Sequence, residues 1–477
     1  MLEITGAPLT IDQLAGLPSD GSLQIALGAD VRAAVEAASA AAAAYAAADG
    51  RAYGRTTGVG ANRTVGVAVD DDEHGLRLIR SHTYDAGEPL DDRVVRAAMV
   101  VRANQLARSR SGLRPEVLDA LIAACNDGRT PVVGRLSSMG VGDVAMFAAV
   151  GLGLIGERPW SDGARYPYLD TIRAEDALAL MSTNAALIAL AALAAERAAR
   201  WLQTAHVVTA LTHVAIRGNA EAYAEAVHLE RAHPGAVRSA GIMRRLLDGA
   251  GAAARVQDPL SLRCSPQVHG AALGALDDLQ RDVHIELGSS SENPLYVDGV
   301  PFHHGGFHNA VLALGTDRLR LALLQAADMS VARLTKLHEP PLTGQRAFLA
   351  DGPPTASGTM MVEYTAIAAL AEVRSAAHPA CGASATYSRG VEDVASFAWQ
   401  SAWGVGRLLD AADTVLACEL LAAIRSLGLP GAARAMPAAL AQAAAAALAL
   451  PVVAADHELT SHLAAATALI AAGLGRG

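Results

Sequence analysis

Tyr53 stands in a run of small, flexible residues, Tyr53-Gly54-Arg55-Thr56-Thr57-Gly58-Val59-Gly60. A phenol on such a loop can take a proton when a nearby cation or helix N-terminus lowers its pKa. The same run also reads as a glycine-rich turn carrying a half-buried tyrosine. Arg263 lies in Val256-Gln257-Asp258-Pro259-Leu260-Ser261-Leu262-Arg263-Cys264-Ser265-Pro266-Gln267-Val268. Its planar guanidinium could bond both oxygens of a carboxylate, or pair structurally with Asp258 or Glu286. Glu392, in Val391-Glu392-Asp393-Val394, could meet an amine or move a proton. It could equally be a first-turn residue complementing a helix dipole. His304 and His308 are four apart, a metal-ligand spacing on a helix. Gly305 and Gly306 between them argue against a helix, so no metal is expected.

Such groups need a frame, and the frame reads as helix. Val31 to Ala48 is almost all alanine, which favours helix strongly. Asp91 to Ser109 puts Val94, Val95, Ala98, Val101 and Leu106 on an apolar face, with Arg93, Arg96, Arg102 and Arg108 supplying a polar side. Arg173 to Gln203 contains no Gly or Pro and reads as one long helix. Asp317 to Leu337, Val362 to Ala376, Val391 to Leu427 and Ala438 to Leu450 follow the same pattern. Strand signals are few: Thr64 to Val69 alternates weakly, and Pro294 to Val300 suits a hairpin around Asp298-Gly299. Gly- and Ser-rich loops lie between the helices, a common way to build a site at helix ends. The 52% hydrophobic content is ample for a core, but aromatics are only 4%, so alanine and leucine must fill it and let helices pack closely.

The chain has 477 residues, enough for two or three domains or one large helical body. A net charge of −10 argues against a nucleic-acid partner, which needs a dominant basic patch. Cys125, Cys264, Cys381 and Cys418 are widely spaced with no CxxC pair, which fits a reducing cytoplasm better than a disulfide framework or a zinc site. Met1–Thr10 lacks the pattern of a signal peptide. The apolar stretch from Pro437 to Ala455 reads as a buried helix ending before Pro451, not as a membrane span.

Taken in order, several segments resemble the aromatic amino-acid ammonia-lyase and aminomutase family, from about Tyr53 to about Phe397. The Tyr53 loop is similar to the family's Tyr-Gly-x-Asn-Thr-Gly-Phe-Gly, whose tyrosine is the proposed base. Arg80-Ser81-His82 and Gly87-Glu88-Pro89-Leu90 resemble a loop whose histidine sits near the substrate. The Arg263 segment is close to Gln-Asp-Pro-Tyr-Ser-Leu-Arg-Cys-x-Pro-Gln-Val. The resemblance therefore implies that Gln257 and Arg263 bind substrate, Arg263 by its carboxylate, with Leu260 replacing the family tyrosine. Ser289-Ser290-Ser291-Glu292-Asn293-Pro294-Leu295 and Gly305-Gly306-Phe307-His308 match further family runs, keeping Phe307 in the pocket. Glu392 matches a pocket glutamate. The resemblance implies an all-α fold dominated by long antiparallel helices with a small mixed N-terminal part. It also implies a homotetramer with sites shared between subunits. Domains are expected at residues 1–200, holding the Tyr53 loop, and 201–477, holding the long-helix bundle.

One segment departs. The family's Ala-Ser-Gly triad, which cyclises to a methylidene-imidazolone electrophile, falls on Gly140-Val141-Gly142, with Leu154-Ile155-Gly156-Glu157 fixing the register. Valine has no hydroxyl to lose, and neither Ser137 nor Ser138 has a glycine directly after it. The asparagine that supports the electrophile becomes Ser182, with Asn184 two positions further on. No cofactor is expected on this account. The retained groups, Tyr53, His82 and Glu392 with Arg263 and Ser182, then suit a base-driven elimination, conjugate addition, cyclisation or isomerisation of a small carboxylated metabolite, in specialised metabolism. A non-catalytic ligand-binding or scaffold homologue is the alternative. An ordinary amino-acid ammonia-lyase ranks below both.

Overall fold

Alanine-rich segments with few Gly or Pro form helices, and helix accounts for 57% of the chain against 5% strand. The all-α expectation therefore holds. The computed structural model describes residues 1–18, 20–68, 71–429 and 434–475. The chain divides into two compact units. The first comprises Met1–Glu196, Gln280–Thr316 and Pro379–Trp403; the second comprises Arg197–Leu279, Asp317–His378 and Gly404–Gly477.

In the first unit the helix Asp92–Leu106 is buried throughout from Val95 onwards. This corrects the polar side assigned to Arg96 and Arg102, which are 1% and 0% exposed. Their guanidiniums satisfy chain carbonyls instead of water. Arg96 donates to Cys125 O (2.6 Å) and Leu23 O (3.1 Å), and Arg102 to Leu180 O (3.2 Å) and Ala179 O. Burying a cation is tolerable when its donors are met in this way. A two-stranded parallel sheet, Leu2–Ile4 with Ile25–Leu27, was not legible from the sequence. The antiparallel hairpin Leu295–Val297 with Val300–Phe302 turns at Asp298-Gly299 as expected. No strand forms over residues 64–68, and Val69 lies outside the described residues.

The expected helix from Arg173 to Gln203 is broken. Helix Ala174–Met181 ends at Ser182, and helix Ala185–Ala215 begins three residues later. The cause is side-chain competition for the backbone. Ser182 Oγ accepts from Asn293 N–H (2.8 Å), and the Thr183 hydroxyl accepts from Ala185 N–H (2.9 Å). Ala174–Ala215 is the one described helical run long and apolar enough to cross a membrane, and 89% of its most apolar window is buried inside the fold. It is core on this evidence of burial. The expected helix from Val391 starts only at Ala398, so Glu392 is not a first-turn residue. Ala438–Leu450 is interrupted at Ala444, and much of it is exposed rather than buried.

The second unit is built on long helices, and its most deeply buried charges pair with each other. Arg333 meets Glu419 through two contacts of 2.6 and 2.8 Å, both side chains fully buried, and Thr212 Oγ1 donates to Glu419 at 2.7 Å.

Candidate active site

The Tyr53 loop closes on itself. Thr56 N–H donates to Ala52 O (2.9 Å), and Gly54 adopts φ +75°, where a Cβ would lie 2.2 Å from Leu178 Cδ2. Only glycine fits that approach. The turn carries the Tyr53 hydroxyl back to Gly60, whose N–H donates to Tyr53 Oη at 2.6 Å. Burial pushes the Tyr53 phenol above its usual value, the Gly60 N–H and Arg63 pull it down, and the Glu392 carboxylate adds to the rise. Ala61 N–H donates to Ser388 Oγ (3.1 Å), joining this loop to the one that carries Glu392. There, Tyr387 N–H donates to Glu392 O at 2.8 Å, after which Ser388 and Arg389 turn through left-handed φ values of +52° and +56°.

The loop at the triad position is held by its backbone. Gly140 has φ +78°, and a Cβ there would lie 2.6 Å from Ser396 Oγ and 2.7 Å from Ala398 N. Ser396 Oγ donates to Gly140 O (2.7 Å), and Gly140 N–H donates to Ser138 Oγ (3.0 Å). Ser138 in turn donates to Asp143 Oδ1 (2.8 Å), and Leu187 N–H donates to Asp143 Oδ2 (2.9 Å). Burial pushes the Asp143 carboxyl up to about 6 against these bonds. Gly142 N–H donates to Asn184 Oδ1 (3.1 Å), and Asn184 Nδ2 donates to Phe307 O (2.7 Å). Asn184, two positions beyond Ser182, is thus the residue that grips this loop. The break before helix Ala185–Ala215 frees it to do so.

These segments surround a cleft of about 870 Å³ whose lining includes Tyr53, His82, Val141, Gly142 and Glu392. His82 Nδ1 lies 2.8 Å from Leu78 O, an arrangement that suits an Nδ1–H donor and leaves Nε2 as acceptor. Three predicted catalytic residues and two of the triad positions therefore share one cleft. Sequence reasoning missed Tyr387, Tyr84, Arg77 and His74 of the same lining. Tyr84 and Tyr387 flank His82 and Glu392 in sequence and could have been found from that. Ser182 and Phe307 are not in the lining. Ser182 borders a separate small cavity with Tyr53 and Glu292, and Phe307 contributes its carbonyl to Asn184. Gln257, Leu260 and Arg263 belong to the second unit. Leu260 is 63% exposed, and Arg263 Nε donates to Asp258 O (2.7 Å) rather than to a carboxylate. His304 and His308 lie in a loop, with His304 Nδ1 accepting from Gly306 N–H (2.8 Å).

Val141 carries an isopropyl group and no hydroxyl, and a Cβ on Gly140 would lie 2.6–2.9 Å from atoms of Ser396 and Ala398.

The model of the aromatic amino acid lyase family matches residues 9–450. The chain belongs to this family. It is 34% identical to a histidine ammonia-lyase of Koribacter versatilis over 99% of this chain and 98% of that protein. Further relatives of the same name span 30 to 36% identity. Among solved structures it is similar to histidine ammonia-lyase from Trypanosoma cruzi, with a TM-score of 0.87 and 26% identity over 99% of this chain and 93% of that one. Ergothionase from Treponema denticola, an ergothioneine-degrading enzyme, shares the fold with a TM-score of 0.91 at 23% identity over 99% and 98% of the two chains.

These likenesses overturn the ranking that put addition, cyclisation or isomerisation first and amino-acid deamination last. That ranking rested on a few side chains around one loop. The similarity to histidine ammonia-lyases runs along the whole chain and favours an ordinary amino-acid ammonia-lyase.

Proposed function

We propose that the chain is an amino-acid ammonia-lyase that converts an α-amino acid, histidine first among candidates, to the unsaturated acid and ammonia. The full-length likeness to proteins named histidine ammonia-lyase carries this reading. The cleft supplies chemistry that agrees with it. Tyr53, as phenolate, takes the β-proton, and the C–H electron pair becomes the new double bond. The C–N pair leaves with the α-ammonium as ammonia. The Gly60 N–H stabilises the phenolate, Glu392 offers a carboxylate for the substrate ammonium, and His82 offers a ring nitrogen to the side chain. The test is direct: ammonia and unsaturated acid are measured with histidine, phenylalanine and tyrosine. A folded protein that releases ammonia from none of them refutes the reading.

Two further parts belong to the same proposal. The loop Gly140–Gly142 stays an unmodified peptide, because Val141 cannot dehydrate, so no step is routed through a covalent electrophile. An intact mass equal to that of the sequence is expected, and a mass lower by two waters would overturn this part. The active form is a homotetramer in which the exposed segment of Gln257, Leu260 and Arg263 from one subunit completes the cleft of another. The exposure of this segment, 84% at Val256 and 63% at Leu260, leaves it accessible to a neighbouring subunit. Light scattering at the mass of one chain would refute it.

A further inference from the structure

The second unit contains a cavity of about 130 Å³ that the proposed reaction does not use. Its lining includes His213, Arg217, Gly218, Gly251 and Arg434. Helix Ala185–Ala215 ends here in a double closure: Gly218 N–H donates to His213 O (2.9 Å) and Arg217 N–H to Val214 O (3.1 Å). The residue at the left-handed position of this closure is normally glycine. Here it is Arg217, at φ +52°. His213 is 2% exposed, yet neither ring nitrogen has a hydrogen-bond partner. Gly218 keeps the ring uncovered, because a Cβ there would lie 2.5 Å from His213 Nδ1.

The charges around the cavity are of one sign. Arg434 donates to the carbonyls of Ala215 (3.3 Å) and Thr343 (2.9 Å) and pairs with no carboxylate among the described residues. Arg217 likewise has no ion pair among the described residues; burial pushes the Arg434 guanidinium down, and the charge of Arg217 beside it adds to the fall. The nearby Asp258 is already taken by Arg255 Nη1 (2.8 Å) and Asn219 N–H (2.5 Å). Carbonyls at the helix end, which would repel an anion, are also occupied: Arg255 Nη2 donates to Ile216 O (2.9 Å), and Arg434 Nε to Ala215 O. The lining brings together Arg434, the solvent-exposed Arg217 and the buried His213, with no acid among the described lining residues. Burial pushes His213 down to about 4 against the pull of the Asp258 carboxylate, so the ring adds no charge beside the two guanidiniums. A water occupies roughly 30 Å³ of liquid, so the space admits something larger.

The geometry points to a binding site for a small oxyanion, the phosphate or carboxylate group of a metabolite, clamped by Arg217 and Arg434. The site is distinct from the cleft that holds Tyr53, and its test does not depend on the reaction. The full-length protein is titrated with inorganic phosphate and, separately, acetate by calorimetry, with sodium chloride holding ionic strength constant. One saturable site for either anion is expected, phosphate assigning a phosphoryl ligand and acetate a carboxylate. Arg217→Gly removes the guanidinium while giving the left-handed position its preferred residue. Its thermal midpoint should match or exceed that of the wild type, while anion affinity falls by about tenfold or more. Absence of saturable binding by both anions overturns the site, as does unchanged affinity in Arg217→Gly.

Discussion

Replacing Tyr53 with phenylalanine separates the base from the scaffold. The hydroxyl accepts one hydrogen bond, from Gly60 N–H at 2.6 Å. Removing it leaves a part-buried donor short of a partner, a cost of about 1 kcal/mol against folding. A positioned general base contributes about 10²–10⁴ in rate, or roughly 3–5 kcal/mol at the transition state. The two effects differ enough to resolve. Steady-state ammonia release should fall by that factor in kcat/KM, while urea unfolding shifts only slightly and circular dichroism stays the same. The pH profile adds a second arm. Burial raises the Tyr53 phenol above its usual value near 10, so the phenolate is a minor form at pH 7. Because the deprotonated form is the active one, kcat/KM should climb about tenfold per pH unit through neutrality in the wild type. That slope should vanish in Tyr53→Phe. A variant that keeps most of its rate, or keeps the slope, removes Tyr53 from the mechanism.

Two predictions concern stability. Glu419→Ala strands the buried Arg333 with only Ser261 O (3.4 Å) as a partner, and should cost about 3–5 kcal/mol by denaturant unfolding. The double change Arg333→Met with Glu419→Leu should recover most of it, and a double variant as weak as the single one refutes the burial argument. Asp143→Asn tests the carboxyl beneath the triad loop. Its folded pKa is raised from 3.8 to about 6, so its contribution is full below pH 4 and is lost as pH rises through 6. The variant should therefore gain roughly 3 kcal/mol on the wild type between pH 4 and 7; parallel stability curves would contradict this.

Much of the frame was legible because alanine and leucine periodicity needs no distant partner. Val31–Ala47, Ala310–Leu337 and Met360–Ala376 follow it closely. What was not legible depends on contacts far along the chain. Ser182 ends its helix because Asn293 is there to donate, 111 residues away. Arg96 and Arg102 look solvent-facing until the carbonyls of Leu23, Cys125 and Leu180 are brought to them. The cleft residues were found from motif order, yet Gln257 and Arg263 matched equally well and fold into the other unit. Order along a chain fixes which groups a family uses, and leaves open which of them a single subunit brings together.

The triad loop shows why one substitution misled the ranking of functions. Besides the Asp143 N–H bond to Thr183 O (2.6 Å), the side-chain bonds that shape the loop engage the backbone of Gly140 or Gly142, or the carboxylate of Asp143. The donors and acceptors are Ser138, Asn184, Leu187 and Ser396, and none of these bonds engages the side chain of residue 141. The backbone pairing of Val141 with His308 is likewise indifferent to what the side chain is. Two methyls can therefore stand at this position in place of a hydroxyl and a hydrogen without breaking any of these bonds. On the proposed reading, residue 141 bears on how the substrate is activated, and the bonds that shape its loop do not depend on its side chain.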